Sequence, residues 1–139
     1  MRIMFIDDEP RRMKPYVNEL EEAGHEVLFR DDIDSALKTL REPSEQFDLV
    51  VVDISVPAGL EYRYEDTDNG SRTGIALYDT IRRERPGQKV MVFTNVPDSR
   101  LAEQFAKEDG RICLFARKPD ILPFQLVEMV EEFVSGGMK

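Results

Sequence analysis

Leu49-Val50-Val51-Val52-Asp53 runs four apolar residues straight into a carboxylate. A strand with one wet face alternates apolar and polar side chains, so an unbroken apolar run marks a strand covered on both faces. The same form recurs at Ile3-Met4-Phe5-Ile6, followed by Asp7-Asp8-Glu9, and at Val90-Met91-Val92-Phe93, followed by Thr94-Asn95. Val27-Leu28-Phe29 and Ile112-Cys113-Leu114-Phe115-Ala116 complete a set of five, and the last runs into Arg117-Lys118-Pro119. Helical periodicity fills the intervals. Met13, Val17 and Leu20 share a face before the stop at Ala23-Gly24. Asp34-Ser35 opens a short helix carrying Ala36, Leu37 and Leu40, which Pro43 ends. A third stretch, 74–83, carries Ile75, Leu77, Tyr78 and Ile81, and a fourth, 99–107, carries Leu101, Ala102, Phe105 and Ala106. Pro123 opens the last, with a stripe at Leu126, Val127, Val130 and Val134. Strand and helix alternate five times. With right-handed crossovers this predicts an α/β fold, a doubly wound five-stranded parallel sheet with helices on both faces.

The chain has 139 residues, which suits a single domain over 1–139. Its net charge of −9 argues against direct binding of nucleic acid, whose phosphates need a basic footprint. The single cysteine, Cys113, excludes an internal disulfide and a cysteine-rich zinc site. The single histidine, His25, excludes a multi-histidine metal site and is read as a surface residue. No apolar run approaches the roughly 18 residues of a membrane span. The opening residues 1–8 have too short an apolar stretch for a signal peptide, so the cytoplasm is the expected compartment. One segment breaks the rhythm. Residues 57–73 carry Glu61, Tyr62, Arg63, Tyr64, Glu65, Asp66 and Asp68 with little apolar period. This reads as a long inserted loop between the third strand and third helix, of a length that is usually functional or mobile.

Ligands of open α/β sheets bind beyond the carboxyl ends of the strands. There the apolar runs deliver Asp7, Asp8, Asp53, Thr94 and Lys118. Clustered carboxylates repel one another unless a cation sits among them. A site of oxygen ligands without His or Cys suits a hard divalent ion, and Mg²⁺ fits best because it accepts few protein ligands and keeps waters or phosphates. A cation, the Lys118 ammonium and the Thr94 hydroxyl around one carboxylate make a phosphoryl site, with Asp53 as the nucleophile.

This set, Asp7-Asp8, Asp53, Thr94 and Lys118-Pro119, with Pro57 four residues after Asp53, resembles the receiver (CheY-like) domain of two-component response regulators. The resemblance spans Ile3 to about Val134. It implies a flavodoxin-like strand order 2-1-3-4-5. It implies that Asp53 accepts the phosphoryl group and that Asp7, Asp8, Asp53 and the Ser55 carbonyl hold Mg²⁺, with Asp8 the more direct of the acidic pair. Thr94 and Lys118 would contact the phosphoryl group. Thr94 and Phe115 would form the switch, and Pro119 would follow a cis peptide bond. The implied partners are a histidine kinase or phosphotransfer protein and a downstream protein. The signal would pass through the face of helix 4, strand 5 and helix 5. A homodimer is compatible with this reading, as is self-catalysed phosphotransfer and dephosphorylation without turnover of a substrate. Two features depart from the family pattern: the 57–73 segment is longer by roughly a dozen residues, and Asn95 stands where a small residue is usual.

Plainer readings stand beside these. Asp7, Asp8 and Glu9 also suit a charged helix start, Phe115 suits the core, and the acids of the long loop suit a solvated face. Cys113 reads as an inert buried thiol. The same fold without phosphorylation would be a protein-interaction module. A Mg²⁺-dependent phosphatase with an aspartate nucleophile is disfavoured, because such enzymes place Asp-x-Asp after the first strand and Asp7-Asp8-Glu9 offers none.

Overall fold

The computed structural model describes residues 1–63, 72–96 and 99–136. Five strands, β1 (Arg2–Ile6), β2 (Glu26–Arg30), β3 (Leu49–Val52), β4 (Val90–Thr94) and β5 (Cys113–Arg117), alternate with five helices. The helices are α1 (Pro10–Glu22), α2 (Ile33–Leu40), α3 (Thr73–Glu84), α4 (Ser99–Ala106) and α5 (Pro123–Ser135). All strand pairings are parallel, as the apolar runs predict, and their order is β2-β1-β3-β4-β5, as the resemblance implies.

The unbroken apolar runs are explained by two cores. Met4, Ile6, Val50, Val52, Val90 and Val92 face the side packed by α2, α3 and α4. Ile3, Phe5, Leu49, Val51, Met91 and Phe93 face the side packed by α1 and α5. Successive residues of β1, β3 and β4 thus enter opposite cores, and each has to be apolar.

Local sequence sets the helix ends. Pro10 and Pro123 occupy first helical positions, where a missing N–H is harmless. Asp32 caps α2 by accepting from the Ser35 N–H at 2.7 Å, so the helix starts just before Asp34-Ser35. In α5, Phe133 is fully buried and Val134 only half-buried, which shifts the end of the expected stripe by one residue.

The register fixes what lies at the sheet's edge. Ile6 pairs with Val52 across β1 and β3, so the next residues, Asp7 and Asp53, emerge side by side. Here the chain turns one way to β2 and the other way to β4, which makes this the topological switch point.

Candidate functional site

Asp7 is wholly buried and Asp53 nearly so, at 0% and 5% exposure. Asp8 is exposed at the rim. One carboxylate oxygen from each of the three lies within 4.8 Å of the others. Lys118, just beyond β5, threads back between the two buried acids. Its Nζ is 2.7 Å from Asp7 Oδ2 and 3.3 Å from Asp53 Oδ2. Thr94, fully buried at the end of β4, donates its hydroxyl to Asp53 Oδ1 at 3.0 Å. The Ser55 N–H leans on the same oxygen at 3.4 Å. The Asp53 carboxylate is therefore approached from β4, from β5 and from its own following turn.

The electrostatics are lopsided. Burial raises the Asp7 carboxyl to about 6. The Asp53 charge adds to this, while Lys118 and the Glu9 N–H work against it. Burial and Asp53 also raise Asp8. For Lys118, burial opposes the charge, but Asp7 and Asp53 together outweigh it and raise the ammonium. Asp7 Oδ1 accepts from the Glu9 N–H at 2.9 Å. Its buried Oδ2 has no hydrogen bond; the short approach to Lys118 is an ion pair outside hydrogen-bond geometry.

The charge of the cluster tests the fit of a cation. With all three acids ionised and Lys118 charged, the cluster carries −3 + 1 = −2, which a divalent ion neutralises. In an octahedral Mg²⁺ shell adjacent ligands stand about 3 Å apart and opposite ones about 4 Å, so oxygens within 4.8 Å of one another draw in by at most about 2 Å. The residues present fit Mg²⁺. Asp8 and Asp53 border an open cleft of about 760 Å³, whose walls include Ser55, Arg12, Tyr16, Asn95, Val96 and Pro119. The cleft leaves room for waters and a phosphoryl group, which Mg²⁺ sites retain.

The expected residues thus divide. Asp7, Asp8, Asp53, Thr94 and Lys118 come together, and Ser55 lines the same cleft. Phe115 lies apart, its half-buried ring stacked on Phe105 of α4 with centroids 5.7 Å apart. Three readings need correction. The peptide bond before Pro119 is trans, because no cis bond occurs among the described residues; Lys118-Pro119 opens a short 3₁₀ turn, Lys118–Asp120, and trans is the lower-energy isomer. His25 is not a surface ring. Its side chain is 10% exposed, with Nδ1 3.0 Å from the Met1 amino group and Nε2 2.9 Å from Glu131. Glu61 is not merely solvated, since it pairs with Arg41.

The 57–73 segment is described only in part. Tyr64, Glu65, Asp66 and Asp68 lie outside the described residues. Residues 57–63 turn toward α2 and α3, where Tyr62 is buried at 5% exposure. Sequence reasoning missed this, and it missed Gly74. The Gly74 N–H donates to the Ile54 carbonyl at 2.8 Å, and a Cβ there would lie 2.3 Å from the Asp53 carbonyl oxygen. The visible signal was a glycine in a helix's first turn, where it is unfavourable without a packing reason.

The architecture is that of the CheY-like receiver domains of response regulators, and solved structures similar to this chain carry that description. A receiver domain from Clostridium thermocellum matches with a TM-score of 0.75 and 22% identity, covering 98% of this chain and 95% of that one. A CheY-like receiver domain from Methanospirillum hungatei matches with a TM-score of 0.73 and 23% identity, covering 97% and 94%. In sequence, a two-component response regulator of Oryza sativa subsp. indica is 39% identical over 57 residues, 41% of this chain. The match spans only 9% of that much longer protein. No protein-family model matches the chain.

Proposed function

We propose that the chain is a response-regulator receiver domain, one domain over 1–139 with an insertion at about 57–73, that accepts a phosphoryl group on Asp53. The donor is an N-phosphohistidine on a histidine kinase or phosphotransfer protein. An Asp53 carboxylate oxygen attacks phosphorus, a P–O bond forms as the P–N bond breaks, and the electron pair leaves on the imidazole nitrogen, which takes a proton from solvent. The observation that carries this reading is the convergence of Asp7, Asp8 and Asp53 around one point, with Lys118 and Thr94 both on the Asp53 carboxylate.

Asp7, Asp8, Asp53 and the Ser55 carbonyl would hold Mg²⁺, which supplies charge neutralisation for the phosphoryl oxygens and the acids together. Lys118 leaves its place between Asp7 and Asp53 to meet the incoming phosphoryl oxygen. The Thr94 hydroxyl, now bonded to Asp53, turns to the same group. Removing that bond frees the end of β4, and Phe115, stacked on Phe105, passes the change to the face of α4, β5 and α5. A downstream protein reads that face. Among the described residues no helix is long and apolar enough to cross a membrane, and the cytoplasm is the compartment we propose.

The test is incubation with acetyl phosphate and Mg²⁺. Intact-mass analysis should show one added phosphoryl group in the wild type, none after chelation and none in Asp53→Ala. An unlabelled wild type under these conditions would refute the reading and favour an interaction module.

A further inference from the structure

The chain that leaves the acceptor strand is held where the site chemistry alone does not require it. Asp34, in the first turn of α2, accepts from two backbone groups of the inserted segment. Its Oδ2 receives the Leu60 N–H at 2.8 Å and its Oδ1 the Glu61 N–H at 3.0 Å. Gly59 is shaped to the same carboxylate. Its φ is +67°, and a Cβ would fall 2.8 Å from Asp34 Oδ2. Only glycine takes this conformation and this approach without strain.

Further anchors follow. Arg41, just past α2, pairs with Glu61 and, at 2.8 Å, with Glu84 at the end of α3. The buried Tyr62 hydroxyl meets Thr80 Oγ1 at 2.6 Å. Between these grips and Asp53 lies a short, stiff stretch. Ile54 and Val56 are fully buried, Gly74 holds the Ile54 carbonyl, and the Pro57 ring fixes its own φ. Ser55 stands in that stretch, on the cleft wall.

We propose that Asp34 is a positioning residue for the phosphoacceptor site: its carboxylate grips the backbone of residues 59–61 and thereby fixes the segment that carries Ser55 beside Asp53. This rests on the reading of Asp53 as a Mg²⁺-dependent acceptor. Asp34 acts through the backbone it holds. A charged acceptor on two N–H groups is among the stronger kinds of hydrogen bond. Partners that orient metal-binding groups from behind typically govern metal affinity by about 10- to 100-fold.

The experiment measures Mg²⁺ affinity calorimetrically, labelling by acetyl phosphate at saturating Mg²⁺, and amide hydrogen exchange at Leu60 and Glu61, all on the full chain. Asp34→Ala should lose protection at both amides and bind Mg²⁺ about tenfold more weakly. Asp34→Asn keeps one acceptor oxygen and should fall between it and the wild type. Val130→Ala, in the opposite core, should lower the unfolding midpoint while leaving Mg²⁺ affinity at the wild-type value. If both Asp34 variants keep wild-type affinity and labelling rate, with or without loss of amide protection, the segment is merely packed against α2 and the inference is overturned. A wild type that takes up neither Mg²⁺ nor label removes the underlying reading as well, and that outcome is visible before any variant is made.

Discussion

Replacing Gly74 with alanine sets two effects of opposite sign against each other. Helix propensity favours alanine by about 1 kcal/mol, and Gly74 is the second residue of α3. Packing opposes it. The added Cβ falls 2.3 Å from the Asp53 carbonyl oxygen and 2.5 Å from Ile54 Cα. Ordinary contact begins near 3.4 Å, so α3 and the end of β3 have to separate by 3.4 − 2.3, or about 1 Å. Both obstructing atoms are backbone, so no side-chain rotation relieves the clash. Separation also breaks the Gly74–Ile54 hydrogen bond, a loss of about 1 kcal/mol. It disturbs the seats of the buried Leu77, Tyr78 and Ile81, and overpacking of this kind costs about 1–3 kcal/mol. After the propensity gain, the expected net is a destabilisation of about 2 kcal/mol. Urea unfolding should show a lower midpoint at an unchanged slope. Because the obstructed oxygen belongs to Asp53, labelling by acetyl phosphate should fall with it. A Gly74→Ala protein as stable as the wild type, or more so, would refute the argument for a close-packed helix start behind Asp53.

Burial and the neighbouring Asp53 charge raise the Asp7 carboxyl from 3.8 to about 6, so the metal-free fold holds this proton more tightly than the unfolded chain does. Its contribution is whole only below about pH 4 and is lost as pH rises through about 6; relative to Asp7→Asn, the wild type in chelator should lose about 2 kcal/mol between pH 4 and pH 7, and parallel melting curves for the two proteins would contradict this. Lys118→Ala removes the cation between Asp7 and Asp53, so Mg²⁺ should raise its melting temperature more than that of the wild type while acetyl phosphate labelling slows about a hundredfold. Pro15 is exposed inside α1 and lacks the N–H that would bond one turn back; Pro15→Ala should raise the stability by about 1–3 kcal/mol in urea unfolding, and an unchanged midpoint would mean that α1 already bends to accommodate it.

The parts of the fold visible in the sequence are those with one physical solution. Four apolar residues ending in Asp53 need two cores, and two cores need helices on both faces of a parallel sheet. The strand ends then place Asp7, Thr94 and Lys118 at one rim. What stayed hidden depends on partners far along the chain. Tyr62 lies in a polar stretch without period, yet it is buried because Thr80, 18 residues on, offers its hydroxyl an acceptor or donor. Asp34 looks like an ordinary helix-opening acid, and its grip on residues 60 and 61 depends on the course of an irregular segment that no periodicity describes. His25 looked solvated because neither Met1 nor Glu131 is near it in sequence.

The placement of the acids follows from register, not from local preference. Ile6 opposite Val52 leaves Asp7 and Asp53 no course but to emerge adjacent, and the Asp53 N–H is bound to the Ile6 carbonyl at 3.0 Å. A slip of one residue along β3 would exchange the two core faces of Leu49–Val52, yet all four of its residues are apolar and would tolerate either face. Burial alone therefore specifies this register weakly. The contacts past the strand's end supply what burial does not: Thr94 and Lys118 on the Asp53 carboxylate, and Gly74 against its carbonyl. The residues to which the proposed chemistry is assigned are in this way also those that align the central strand. A substitution there should disturb chemistry and strand alignment together, whereas one in the strand's apolar run should disturb stability alone.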